Sequence, residues 1–408
     1  MLDIARLVDE LDPVATNVIR AMRELPERQQ RARAHLAVVE ERVPNLATRV
    51  QESDYRARIA HVVEPGSAGA RSAPASRAAY CALAVDGSQV EPDYHEALGI
   101  YLINVGGVVL RYGGGNADAV GARLFSQPSV RNADLWAPVE NGEEDAEASA
   151  ARPYARRTEV ERMIAEFRQL AELIPSEAER GRTVALLDGP LIAYWVIRLA
   201  PDWMRHKAIA AVEELHAAAK EHEVALAGYI SHTRSVDVVN LLKFACCTDV
   251  RQGSDLCASC REHFPRVGPG PAPCYADFDG VIDRHLYARV LASGQRSARF
   301  GLEAALGDTK RLPLQFFYLR LADDLARVEV PQWVADDPRL LDLAHAAILD
   351  QAQLGRGYPL ALAEAHEQAV IRGPDRQLFH ELLRRRCVRE GFHPEISPKA
   401  RAKRQPLG

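Results

Sequence analysis

Lysine is scarce in this sequence. Six residues are Lys, so nearly all of the 51 basic side chains are Arg. Acids outnumber bases, 56 against 51, for a formal net charge of -5. That balance excludes a bulk-basic nucleic-acid binder of the histone type, but leaves room for a local basic groove on an acidic body. No apolar run approaches the roughly 20 residues that a membrane helix needs. No Gly-x-x-x-x-Gly-Lys-Ser/Thr occurs, so the chain is not expected to hydrolyse ATP. Gly113-Gly114-Gly115 lacks the strand-to-helix context of a dinucleotide site and reads as a turn. Met1 to Arg6 has an acid early and no apolar core before a small-residue cleavage site. A secretory leader is therefore not expected, and the expected location is the cytoplasm.

What is present is the composition of a soluble globular protein, 47% hydrophobic and 26% charged over 408 residues. That length suits one large domain or two ordinary ones. Seven cysteines in a cytoplasmic chain do not suggest a disulfide framework. Five of them, Cys246, Cys247, Cys257, Cys260 and Cys274, fall in one stretch, while Cys81 and Cys387 stand alone. Cys257 and Cys260 have the two-residue spacing of a metal knuckle. Cys246 or Cys247 before them and Cys274 after them would complete four ligands, taken here as Cys247, Cys257, Cys260 and Cys274. Zinc suits such a site, an iron–sulfur cluster is the second candidate, and ordinary reduced cysteines are the third.

The chain reads as alternating strands and helices. Residues 1–75 are an N-terminal helical segment and linker. Ile4, Leu7, Val8 and Leu11 recur at helical spacing, as do Leu36, Val39 and Val43. The segment is either a dimer or partner arm, or helices packed on the main domain. Glu64 to Ser76, rich in Gly, Ser and Pro, reads as a flexible linker. Residues 76–392 form one domain, with a Cys-rich insertion at about 245–280, and residues 393–408 are a basic, frayed tail. Within the domain, Tyr80–Val85 is a buried strand ending in the turn Asp86-Gly87-Ser88. Ile100–Tyr112 reads as two adjoining strands around Gly106-Gly107. Asn141–Ala150 is a solvated loop, and Glu159–Leu173 a helix with Val160, Ile164, Phe167 and Ala171 on one face. Thr183–Leu187 is a strand ending in Asp188-Gly189-Pro190. A helix (Ile209–Glu223), a strand (Val224–Ile230) and a helix (Val236–Phe244) follow. Beyond the cysteines come strands at Gln315–Arg320 and Ala326–Val330, then helices at Arg339–Gln353, Pro359–Ile371 and Gln377–Arg389. The pattern implies an α/β layered fold, a mixed central sheet flanked by helices.

Asp86 and Asp188 each end an apolar strand, and each precedes Gly. Strand-end acids lie on a sheet rim where side chains from different strands converge. Two carboxylates brought together there repel unless a cation sits between them, so a hard divalent ion is one reading. The other is that Asp-Gly merely shapes a turn. The helix before the second strand carries Glu159, Glu161, Glu166 and Glu172, mostly solvent-facing. Glu166 lies beside the apolar stripe and competes with Glu161 for a place at the rim. Tyr358 stands at the entrance of a helix begun by Pro359. His366, eight residues on, falls on roughly the same side. It is a candidate metal ligand or phosphate contact, or a plain helix histidine. Arg296 and Arg299, among small residues and Phe300, are candidate phosphate contacts or surface arginines. Arg384 to Arg386 and Lys399 to Arg404 make a basic C-terminal end.

Four pieces occur in order: Leu83-Ala84-Val85-Asp86-Gly87-Ser88; Leu186-Leu187-Asp188-Gly189-Pro190-Leu191; Phe316-Phe317-Tyr318-Leu319 with Arg327-Val328-Glu329-Val330-Pro331; and Gly357-Tyr358-Pro359-Leu360 with Glu364-Ala365-His366. Together, over about residues 80–375, they resemble the NurA nuclease family. The resemblance implies an RNase H-like core and a Mn²⁺-dependent nuclease, with up to two Mn²⁺ per site. Such an enzyme degrades single-stranded DNA and resects duplex ends 5′ to 3′ alongside a HerA-type hexameric ATPase that translocates DNA. It implies a homodimer with no membrane partner. By the same resemblance Asp86 and Asp188 are metal-binding, and Tyr358 and His366 match the family's C-terminal Tyr and His. Glu166 is the better match, and Glu161 the second, to the catalytic Glu. The expected Mn²⁺ ligands are thus Asp86, Glu166, Asp188 and His366. The rival readings are a non-catalytic DNA-repair scaffold on the same core, and another phosphate chemistry.

Overall fold

The computed structural model describes residues 3–42, 45–52, 59–74, 79–91, 99–113, 121–132, 146–192, 202–246, 277–306 and 310–391. The chain divides into two compact units, residues 1–74 with 230–332, and residues 75–229 with 333–408. This differs from the expected single domain over 76–392. The segment after residue 230 shares its buried core with the N-terminal helices.

In the first unit, α1 (Ile4–Arg42) and α2 (Leu46–Glu52) lie with a sheet ordered β1 (His61–Val62), β9 (Phe300–Leu306), β10 (Lys310–Arg320) and β11 (Leu325–Pro331), each antiparallel to its neighbour. Two short strands, β2 (Ala70–Arg71) and β8 (Arg296–Ser297), extend it: β8 pairs with both β2 and β10. Leu36 and Val39 of α1 are buried with Val238, Leu241 and Leu242 of α5 (Asp237–Cys246) and with Leu286 and Tyr287 of α6 (Asp283–Tyr287). The first half of α1 is different, since its Ile4, Leu7 and Leu11 are exposed. The expected linker is not loose over 64–71. Glu64 accepts from Arg71, Arg296 and Arg299, and Ser67 is buried with its N–H on Glu40.

The second unit holds five strands in the order β7 (Ala225–Ile230), β6 (Thr183–Asp188), β3 (Tyr80–Val90), β4 (Ile100–Tyr112), β5 (Gly121–Asn132). The first three strands in sequence, β3, β4 and β5, form an antiparallel meander. Then α3 (Ala146–Ala178) leads to β6, parallel to β3, and α4 (Asp202–Glu221) leads to β7, parallel to β6. This is the RNase H-like arrangement. Ala82–Ala84, Val184–Leu186 and Leu226 are fully buried, as strands covered on both faces require. Phe167, Leu170 and Ile174 of α3 and Ala211, Val212 and Leu215 of α4 supply the covering layer. The C-terminal helices are α7 (Gln332–Asp336), α8 (Pro338–Leu354), α9 (Leu360–Ala369) and α10 (Gly373–Arg389).

Three local expectations are corrected. Residues 100–112 form one strand, because Gly106 and Gly107 are close-approach positions and not a turn. A Cβ on Gly106 would lie 2.2 Å from the Ala369 nitrogen of α9, and one on Gly107 would lie 2.3 Å from the Phe125 ring. Helix α3 starts at Ala146, inside the expected loop. Strand β3 also runs past Asp86 to Val90: β6 stops pairing at Val85↔Leu187, while β4 continues to Val90↔Leu102. Among the described residues no helix is long and apolar enough to cross a membrane.

Candidate metal centre

The site lies where β6 stops pairing with β3. Side chains alternate along β3, and Gly106, opposite Asp86, faces α9. Asp86 therefore points to α9, where its Oδ2 lies 2.7 Å from His366 Nδ1. Its Oδ1 accepts the Gly87 N–H at 2.8 Å. Gly87 faces the other side, toward α3, where a Cβ would lie 2.4 Å from Glu166 Oε1. Glycine at 87 is what leaves room for the Glu166 carboxylate over this strand. Asp188 is the last residue of β6, in register with Tyr229 of β7. The Tyr358 hydroxyl donates to Asp188, and the Tyr358 ring meets Tyr229 edge-on at 5.5 Å. Tyr358 reaches this place through a tight turn, with Arg356 and Gly357 both at positive φ.

The electrostatics show that the three carboxylates share one field. Burial pushes the Glu166 carboxyl up to about 7; Arg162 opposes that rise, and Asp86 and Asp188 add to it. Asp188 is raised by burial and by Asp86, against the Tyr358 hydrogen bond and the His366 ring, which lower it. Burial and Asp188 push the Tyr358 phenol up, so it stays a donor. Glu166 and Asp188, each raised beside another acid, are short of positive charge.

Glu161 is not at this place. It accepts from Tyr101, Arg157 and Arg131 over β4 and β5. Helix α9, which carries His366, is fixed to β3 and β4 at its C-terminal carbonyls. Asn104 donates to Gln368 O and Ala369 O, and the Ser88 hydroxyl donates to Ala369 O. Neither Asn104 nor Arg162 stood out in the sequence, although a polar Asn inside Ile103-Asn104-Val105 was a legible signal.

The two arginines read as either phosphate contacts or surface residues are committed internally. Arg296 pairs with Glu64 and lies over the Phe317 ring, and Arg299 bonds Glu64 and Gln315. Arg385 and Arg386 pair with Glu381 and Glu390 along α10. Cys247, Cys257, Cys260 and Cys274 lie outside the described residues, as do Lys399 to Arg404. Cys246 is half-buried, 3.4 Å from His35 Nδ1.

The donor set suits a hard divalent ion in kind: three carboxylates and an imidazole, each delivered by a different element. Among the described residues no three such side chains are drawn together tightly enough to hold one ion. Each is instead engaged by a neighbour: Asp86 by His366, Asp188 by Tyr358, and Glu166 by Arg162. A cation entering here would replace those partners, so the residues fit a metal without being preassembled around one.

The strand order is that of an RNase H-like core, and Asp86, Glu166 and Asp188 stand where β3 and β6 part. A family model of the NurA domain matches residues 82–371, and the chain belongs to that family. Among solved structures it is similar to the crystal structure of the NurA nuclease from Sulfolobus solfataricus, at 12% identity and a TM-score of 0.48, over 96% of this chain and 98% of that one. No curated protein matches.

Proposed function

We propose that the chain is a Mn²⁺-dependent deoxyribonuclease that hydrolyses phosphodiester bonds at Asp86, Glu166, Asp188 and His366. One observation carries the reading: Asp86 of β3, held against His366, raises the proton affinity of both Glu166 of α3 and Asp188 of β6, the latter bonded to Tyr358. Membership in the NurA family supports the same chemistry. Asp86, Glu166 and Asp188 would hold the metal, with His366 at its edge. When bound, it would acidify a water and stabilise charge on the scissile phosphate. His366, against Asp86 and 62% exposed, is positioned to carry a proton at the mouth of the site. The Tyr358 hydroxyl orients Asp188. Its ring, at the same rim, offers a face on which any base can stack.

The finer reading is of single-stranded endo- and exonuclease activity, with 5′ to 3′ digestion of duplex ends in the resection of double-strand breaks. The chain has no phosphate-binding loop for ATP, so energy for unwinding would come from a HerA-type hexameric ATPase. A homodimer is part of the same reading. The test is cleavage of single-stranded DNA with Mn²⁺ by the wild type, Asp86→Ala and Asp188→Ala. The wild type should cut, and both variants should fold and lose cleavage. Full activity in either variant overturns the assignment. A folded wild type inert on DNA with Mn²⁺ favours the scaffold reading, and cleavage of RNA or nucleotides instead favours another phosphate chemistry.

A further inference from the structure

Arg162 stands one helical turn before Glu166 on α3. Its Nη1 donates to Glu166 Oε1 and, at 3.3 Å, to the Gly87 carbonyl. Its stem lies on the same glycine, since a Cβ at residue 87 would be 2.8 Å from Arg162 Cγ. The side chains of Arg162 and Glu166 are only 27% and 14% exposed, so this pair is less screened than an ordinary surface pair. A guanidinium keeps its charge at any working pH and cannot accept a hydrogen bond. A cation that takes the same oxygen competes with it. Arg168, six residues beyond Arg162 on the same helix, forms a contrast: it pairs with Glu214, both about half exposed.

We propose that Arg162 is the built-in counter-cation of the acidic cluster, holding Glu166 while no divalent ion is bound and yielding that carboxylate when one arrives. Arg162 is thus a positioning residue that sets metal affinity. Competition follows from charge and geometry, because one carboxylate oxygen cannot face a guanidinium hydrogen and a metal ion along the same direction. The cost of removing Arg162 should fall on the metal-free protein and vanish in the loaded one. The inference rests on the reading that the cluster takes a divalent ion.

The test titrates Mn²⁺ alone, without DNA, into the full chain and follows free Mn²⁺ by electron paramagnetic resonance. Arg162→Met should tighten Mn²⁺ by about tenfold. It should also lower the melting temperature in chelator, with the deficit closing at saturating Mn²⁺. Arg162→Lys keeps the charge and should stay near wild type. Arg168→Met removes the same charge elsewhere and should change neither quantity. Unchanged or weakened Mn²⁺ binding in Arg162→Met overturns the proposal while leaving the metal reading intact. A wild type whose Mn²⁺ binding is absent, or survives Asp86→Ala, overturns the metal reading and this proposal with it. If Arg162→Met does not fold, the wild type decides. Saturating Mg²⁺ should move the Arg162 side-chain Nε–H resonance, assigned by its loss in Arg162→Lys, and an unmoved resonance overturns the proposal.

Discussion

Each unit of this molecule contains acids, an arginine and a tyrosine in one network, and the two networks are finished to different degrees. In the first unit Asp283 is fully buried and accepts the N–H groups of Val238 and Val239 at 3.0 and 2.8 Å and the Tyr318 hydroxyl at 2.6 Å. Arg327, also buried, donates to Glu329, Asp237 and Ser235 and lies 3.7 Å over the Phe316 ring. The arginine there faces two carboxylates, and Asp283 has three donors. In the second unit Asp86 raises the proton affinity of Glu166 and Asp188, as Asp237 raises that of Asp283 in the first, but the partners of these acids are a largely exposed histidine, a phenol and one arginine. Saturated buried charge specifies structure, because removing a partner strands the other. Charge at a rim with fewer donors is what the proposed cation would compensate. Residue types alone do not separate the two; burial and the count of donors do.

The largest effect that would break this contrast is expected at Arg327. Arg327→Met strands Asp237 and Glu329 and should cost about 3–5 kcal/mol in urea denaturation. Asp188→Asn should leave stability in chelator unchanged or raised, because it removes a repelling charge, while cleavage is lost. Equal destabilisation in the two variants would erase the distinction.

His216 of α4 extends the comparison to a buried group with an unpartnered ring nitrogen. Its Nε2 has no partner among the described residues, and burial lowers its pKa to about 4. The unfolded chain, with a histidine pKa near 6.5, binds a proton that the folded chain refuses between those values. The stability linked to neutral His216 is full above about pH 6.5 and is lost as pH falls to 4. His216→Leu should flatten that acid slope, by at most about 3 kcal/mol, in urea melts at pH 7 and 4.5. An unchanged slope would assign the titration elsewhere. The smallest effect is expected at Gly106. Gly106→Ala pushes a methyl into the Ala369 backbone and should cost about 1–3 kcal/mol. It should also weaken cleavage, since α9 carries His366; full activity would show that the position of α9 is not critical.

Much of the candidate site was legible because acids inside apolar strands stand out against their neighbours. Asp86 and Asp188 were found that way, and the order of motifs drew in Tyr358 and His366. The choice between Glu166 and Glu161 was not legible. The two lie five residues apart, about 140° around one helix, and which face meets β3 depends on packing. Strand β5 was missed for a different reason. It is a largely exposed edge carrying Pro128, so it lacks apolar alternation. Gly106-Gly107 looked like a turn because a glycine pair signals flexibility locally, while the close approach of α9 and Phe125 is known only once the chain has folded.

The contact between Asp86 and His366 spans 280 residues of chain. A strand synthesised early waits for a helix synthesised late, so chain order becomes time order. Until α9 docks on β3 and β4, a nascent or truncated chain holds its acids without the histidine that sits against them. Loop closure over that distance is slow and entropically costly. The cutting centre proposed for this protein is therefore among the last parts of the second unit to exist during biosynthesis, and a chain broken anywhere before residue 366 is left without it.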